Sequence, residues 1–76
     1  TPENLMARDQ LQDKVFATLD KLPEDLKTAL TLREFEGMSY EEIAQVMDCP
    51  VGTVRSRIFR AREAIDKEVA KLMDRD

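Results

Sequence analysis

The feature that most constrains this chain is an apolar stripe toward its C-terminal end. Val51, Val54, Ile58, Ala61, Ile65 and Leu72 recur at steps of three and four, with one last step of seven. At about 100° per residue this spacing gathers the side chains on one side of an α-helix. It predicts a long amphipathic helix over about 51–70, and its apolar side needs other elements to cover it.

Those elements are read upstream. Thr1-Pro2-Glu3 resembles a helix start, with Thr1 as N-cap and Pro2 at the first helical position, where its missing N–H costs nothing. A first helix over about 3–21 follows, with Leu11, Val15, Leu19 and Leu22 stepping by four, four and three. Pro23 ends it and opens a second helix over 24–36, where Glu24 and Asp25 sit at the positive end of the helix dipole. Leu26, Ala29, Leu30 and Phe35 are its expected inward residues, and Gly37 suits the left-handed position that closes a helix. Ser39 and Glu42 form a capping box for a short third helix, 40–47, with Ile43, Ala44 and Met47 turned inward. Asp48-Cys49-Pro50 is a break, because proline disfavours helix at the residue before it and has no donor of its own. The expected fold is all-α: one compact four-helix domain over 1–76, with no strand, repeat or linker.

The composition supports this reading. Hydrophobic residues make up 42% and charged residues 37%, with two glycines and three prolines, a mix that favours helices with wet outer faces over a disordered tail. A single cysteine, Cys49, cannot form an internal disulfide, and without histidine the usual zinc ligand sets are missing, so neither metal nor cofactor is expected. No apolar run approaches the roughly 18 residues needed to cross a bilayer, and no signal segment opens the chain. A lone reduced cysteine fits the cytoplasm. A start at Thr1 rather than methionine reads as a fragment of something longer.

The net charge of −4 argues against nucleic acid only until the charges are placed. Residues 1–48 hold five basic and eleven acidic side chains, net −6, whereas 49–76 hold seven and five, net +2. Within 49–62 there are four arginines and no acid. Salt screens charges more than about 8–10 Å away, so local density counts for more than the distant excess.

A short helix, a tight turn and a longer helix over 39–62 make a helix-turn-helix, in which the second helix enters the major groove. Small Ala44 lets the two helices approach. On a helical wheel, Val54, Ile58, Ala61 and Ile65 face the core, Gly52, Ser56, Phe59, Arg60 and Glu63 lie opposite, and Thr53, Arg55, Arg57 and Arg62 flank them. Arginine's planar fork matches O6 and N7 of guanine, which makes Arg55 and Arg60 candidates for base contact. Ser56 can exchange a hydrogen bond at close range, and Phe59 can pack on a thymine methyl. Gly52 and Thr53 at the helix start offer close approach and N–H groups to a phosphate.

Plainer readings stand beside these. Arginines on a helix are commonly a solvated face, Phe59 has an alternative in packing on a neighbouring helix or a dimer partner, and Cys49 suits a half-buried turn position better than a redox sensor. The paired acids Glu24-Asp25 and Glu41-Glu42 are placed as helix-start charges. Without histidine, a glycine loop or a metal cluster they do not suggest catalysis, and no small-molecule substrate is expected.

Three stretches carry a family resemblance: Leu22-Pro23-Glu24-Asp25-Leu26, Leu32-Arg33-Glu34-Phe35-Glu36-Gly37-Met38-Ser39-Tyr40-Glu41-Glu42-Ile43-Ala44, and Cys49-Pro50-Val51-Gly52-Thr53-Val54-Arg55-Ser56-Arg57-Ile58-Phe59-Arg60-Ala61-Arg62. Together they resemble region 4 of bacterial extracytoplasmic-function sigma factors, above all the envelope-stress sigma-E type. The resemblance implies a domain that binds the promoter minus-35 element and directs RNA polymerase to stress-response promoters. It implies base contacts from Arg55, Ser56, Phe59 and Arg60, and backbone contacts from Arg33, Tyr40, Gly52, Thr53, Arg57 and Arg62. It further implies double-stranded promoter DNA, the beta-subunit flap of core polymerase and an anti-sigma factor as partners, in the cytoplasm and at the nucleoid when bound to polymerase. The first two helices are the expected docking surface on polymerase. The tail over 67–76 matches only loosely, and region 2, which opens promoters, is absent, so promoter opening is not expected of this piece. Two other functions fit the same pattern: the four-helix output domain of a response regulator, and a protein-interaction bundle whose last helix binds an acidic partner.

Overall fold

The computed structural model describes the backbone over residues 2–73 and side chains from Arg8 onward. Four helices follow in order: α1 (Pro2–Lys21), α2 (Glu24–Glu34), α3 (Tyr40–Met47) and α4 (Val51–Met73). No strand occurs among the described residues, and no helix there is long and apolar enough to cross a membrane. The N-cap expected at Thr1 lies outside the described residues.

The core forms where the apolar stripes meet. Leu19 of α1, Ala29 and Leu30 of α2, Ile43 and Ala44 of α3, and Val54, Ile58 and Ala61 of α4 bury together. α4 packs on all three other helices, so its stripe is the surface around which the domain assembles. Ile43, Ile58 and Val54 are the largest fully buried side chains. Removing each from water is worth about 1.5–3 kcal/mol. Toward the far end of α4 the core thins: Ile65 and Leu72, like Leu11 and Val15 of α1, are only half-buried.

Two helix ends differ from the expected ones. α2 stops at Glu34 rather than near 36: Phe35 is its C-cap, its N–H still donating to the Thr31 carbonyl (2.9 Å), but the Glu36 N–H turns back to that same carbonyl (3.4 Å) and so leaves the helical pattern. Gly37 then takes φ +66°, as expected, and lets the Met38 N–H reach back to the Leu32 carbonyl (3.2 Å). Phe35 was expected inward and is 58% exposed. Five residues past Leu30, it points about 140° away from the buried stripe at 100° per residue. It stacks instead on exposed Phe16 of α1, with ring centroids 6.3 Å apart. α4 runs three residues beyond the expected 70, because no proline or glycine follows Gly52 and Glu68 pairs with both Lys71 (2.9 Å) and Lys14 of α1 (3.2 Å).

The turn into α3 is built by the capping box. Ser39 N–H donates to Glu42 Oε1 (2.9 Å), and Glu42 N–H donates to Ser39 Oγ (3.1 Å). The bond from the Ser39 backbone, and then that with its hydroxyl, hold the Glu42 carboxyl below the ordinary glutamate range. Because the folded-state value is lowered, the cap contributes fully above the ordinary value and fades as pH falls through the lowered one. Ser39→Ala is expected to cost about 1 kcal/mol in urea unfolding at neutral pH. Glu42→Gln, which keeps the acceptor without a charge to lose, is expected to flatten part of the acid decline in stability; an unchanged acid limb would show that the cap does not contribute to it.

Candidate nucleic-acid interface

α3 and α4 are set against each other by the turn between them. Asp48 closes α3 in the left-handed conformation (φ 53°, ψ 54°), a region that aspartate tolerates better than most residues. Cys49 N–H donates to the Ala44 carbonyl (3.0 Å), and Pro50 starts α4 by accepting from both Thr53 (3.0 Å) and Val54 (3.2 Å). The Thr53 N–H therefore already has an acceptor within the chain. Among the described residues, the amides without an acceptor at this mouth are those of Val51 and Gly52. A Cβ added at Gly52 would meet nothing of this chain, so internal packing does not require glycine there.

With Val54, Ile58 and Ala61 buried, the opposite face of α4 points outward. Arg55, Ser56, Phe59 and Arg60 are all exposed along it, Phe59 by 66%. At that exposure Phe59 is no part of this domain's core, which removes the reading that packs it on a helix of the same chain. Neither Arg55 nor Arg60 has a carboxylate partner among the described residues. Both remain available as fork-shaped donors.

The flanks are more constrained. Arg57 and Arg62 lie about 140° apart around the helix axis at 100° per residue. On one flank Arg57 is half-buried: Nη1 donates to Cys49 Sγ (3.6 Å), and Nε lies 3.6 Å from Asp25 Oδ2 at the start of α2. Asp25, Gly52, Thr53, Ser56, Arg57 and Arg60 line one shallow depression beside the mouth of α4. Cys49 is half-buried in the turn and free.

On the other flank Arg62 pairs with Glu34 at the end of α2, and that hydrogen bond pushes the guanidinium's already high pKa further up. Tyr40 stands nearby. Its ring carries the Arg33 guanidinium at 5.1 Å and that of Arg55 at 5.8 Å from the centroid. Arg33 is further fixed by donating from Nη1 to the Met38 carbonyl (2.9 Å). Tyr40 thus ties the end of α2 to the exposed face of α4.

The ten residues singled out from the sequence therefore fall into three neighbouring groups. Arg55, Ser56, Phe59 and Arg60 share the outward face; Gly52, Thr53 and Arg57 surround the mouth of α4; Arg33, Tyr40 and Arg62 sit where α2, α3 and α4 meet. The sequence reading missed the carboxylates that hold the flanking arginines. Asp25 and Glu34 lie 32 and 28 positions from their partners, so no local spacing reveals them.

Comparison with known proteins identifies the family. Residues 12–65 match the family Sigma-70, region 4. The chain is 66% identical over 74 residues to the ECF RNA polymerase sigma-E factors of Escherichia coli and Salmonella typhimurium, covering 97% of this chain and 39% of each relative. It is 67% identical over 73 residues to the RNA polymerase sigma-H factor of Pseudomonas aeruginosa, covering 96% of this chain and 38% of that protein. The chain thus spans about two fifths of the length of these relatives. The response-regulator output domain, which shares the short-helix and long-helix pair, is set aside by this match. From its stripes to its exposed arginine face, the chain belongs to the sigma-70 region 4 family, in its extracytoplasmic-function branch.

Proposed function

We propose that this chain recognises the minus-35 element of promoters as the DNA-binding end of a sigma factor that directs RNA polymerase to stress-response genes. The observation that carries the reading is the outward face of α4, where Arg55, Ser56, Phe59 and Arg60 stand exposed on a segment without acids, backed by a buried spine. α4 lies in the major groove; Arg55 and Arg60 give paired hydrogen bonds to guanine, Ser56 reaches a base edge, and Phe59 covers a thymine methyl. Arg33, Tyr40, Arg57 and Arg62 contact the DNA backbone on the two walls of the groove, and the Val51 and Gly52 amides receive a phosphate at the helix mouth. The open space at Gly52 supports that approach.

On this reading the protein is not an enzyme, works without a cofactor, and acts in the cytoplasm. Its protein partners are core RNA polymerase, through the beta-subunit flap, and an anti-sigma factor. The α1 and α2 surface, where Phe16 and Phe35 stack in the open, is the docking face for polymerase.

Affinity for duplex DNA should fall steeply with salt, by about 0.9 in log K per log salt for each phosphate neutralised. Three such contacts give a loss of about 40-fold between 50 mM and 200 mM salt. Fluorescence anisotropy on a labelled duplex measures this. A flat salt response would favour the protein-interaction bundle, for which exposed Phe59 would be the anchor.

A further inference from the structure

We propose that Asp25 and Glu34 act as built-in phosphate mimics: each holds one flanking arginine of α4 until DNA displaces it, and so lowers the affinity of the chain for duplexes of every sequence. The inference rests on the reading of α4 as a DNA-contacting helix and adds a role for two acids that this reading leaves unused.

The partition of the arginines carries it. Of the four arginines in 49–62, the two directed at the DNA backbone are held by carboxylates: Arg57 by Asp25 at 3.6 Å, and Arg62 by Glu34. The two directed at bases, Arg55 and Arg60, have no carboxylate partner among the described residues. Both acids come from α2, one from its first turn and one from its last residue, and they reach opposite flanks of α4.

A carboxylate presents to a guanidinium the same charged oxygen acceptors that a phosphate does, so the two compete for one fork. Both pairs are open to water, the Asp25 and Glu34 side chains being 52% and 47% exposed. Pairs of this kind are weak enough for DNA to displace. Because the arginines that the two acids pair with, Arg57 and Arg62, are directed at the DNA backbone and not at bases, removing the acids changes affinity without changing sequence preference.

The test is a salt titration of the 76-residue chain on a scrambled duplex, comparing the native sequence with Asp25→Asn, Glu34→Gln, Arg57→Ala and the double variant Arg57→Ala/Asp25→Asn. Asp25→Asn and Glu34→Gln should each tighten binding by up to about fivefold at low salt. Each should also steepen the salt slope by up to about 0.9. In the Arg57→Ala background, Asp25→Asn should have no such effect, since the competition it relieves is already gone. Glu34→Gln keeps the test decisive if Asp25→Asn disturbs the start of α2, where Asp25 Oδ1 accepts from the Leu26 N–H (2.9 Å). Tightening that persists without Arg57 would reduce Asp25 to a general field effect and overturn the proposal. Weaker binding would overturn it too, since the acid would then be aiming the arginine at DNA. Failure of the native chain to bind any duplex removes the DNA reading and this inference together, whereas binding that the two acid variants leave unchanged removes the inference alone.

Discussion

Ile58→Ala is expected to destabilise the chain by about 3 kcal/mol, whereas Phe59→Ala, one position along the same helix, should cost no more than about 0.5 kcal/mol. The two side chains differ in where α4 points them: Ile58 is 2% exposed among core residues from all four helices, and Phe59 is 66% exposed. Truncating Ile58 loses the transfer energy of its buried methyl groups and leaves a cavity that rigid neighbours cannot fill. A domain of this length holds only about 4–11 kcal/mol of stability in total, so that loss is a large share of it. Urea unfolding followed by far-UV circular dichroism measures both variants. Equal losses would mean that α4 is not seated as described. Phe59→Ala should in turn weaken DNA binding in a chain that still folds, which separates the apolar contact from the fold.

Arg60→Ala should carry the largest effect on recognition. A paired arginine-guanine contact is worth about 1–3 kcal/mol of discrimination, so affinity for the preferred duplex should fall by about 5- to 150-fold, and preference should relax at one base position. Arg57→Ala should instead weaken preferred and scrambled duplexes by similar factors, because a phosphate carries no sequence information. Their surroundings support this division. Arg60 is exposed and has no carboxylate partner among the described residues, while Arg57 is half-buried between Cys49 and Asp25. If both variants lose the same factor on both duplexes, Arg60 is not reading a base.

Much of this architecture was legible in the sequence because it is encoded locally. The Ser39 and Glu42 cap, the Pro23 and Pro50 breaks and the stripe through Val54, Ile58 and Ala61 are each set by neighbours within one or two helical turns. The outward face carrying Arg55, Ser56, Phe59 and Arg60 follows directly from that stripe. The apolar character of Phe35 points inward, but its position, five residues from Leu30 and off the buried face, leaves it exposed. The break after Met47 was readable, but the left-handed backbone of Asp48 was not, since proline at 50 signals only that helix must stop. What the sequence hid was long-range. Arg33 and Arg55 meet on Tyr40, Arg57 meets Asp25, and Arg62 meets Glu34 only once three helices have packed. These contacts divide a row of similar arginines into two paired with carboxylates and two without a carboxylate partner among the described residues.

The central claim, that the outward face of α4 reads base sequence, is tested most directly by selection from a pool of random duplexes followed by sequencing, run in parallel on the native chain, Arg60→Ala and Arg57→Ala. The native chain and Arg57→Ala should enrich the same short motif, and Arg60→Ala should enrich it with one position relaxed. A pool bound strongly by the native chain without any enriched motif, or an identical motif from all three proteins, would contradict the claim.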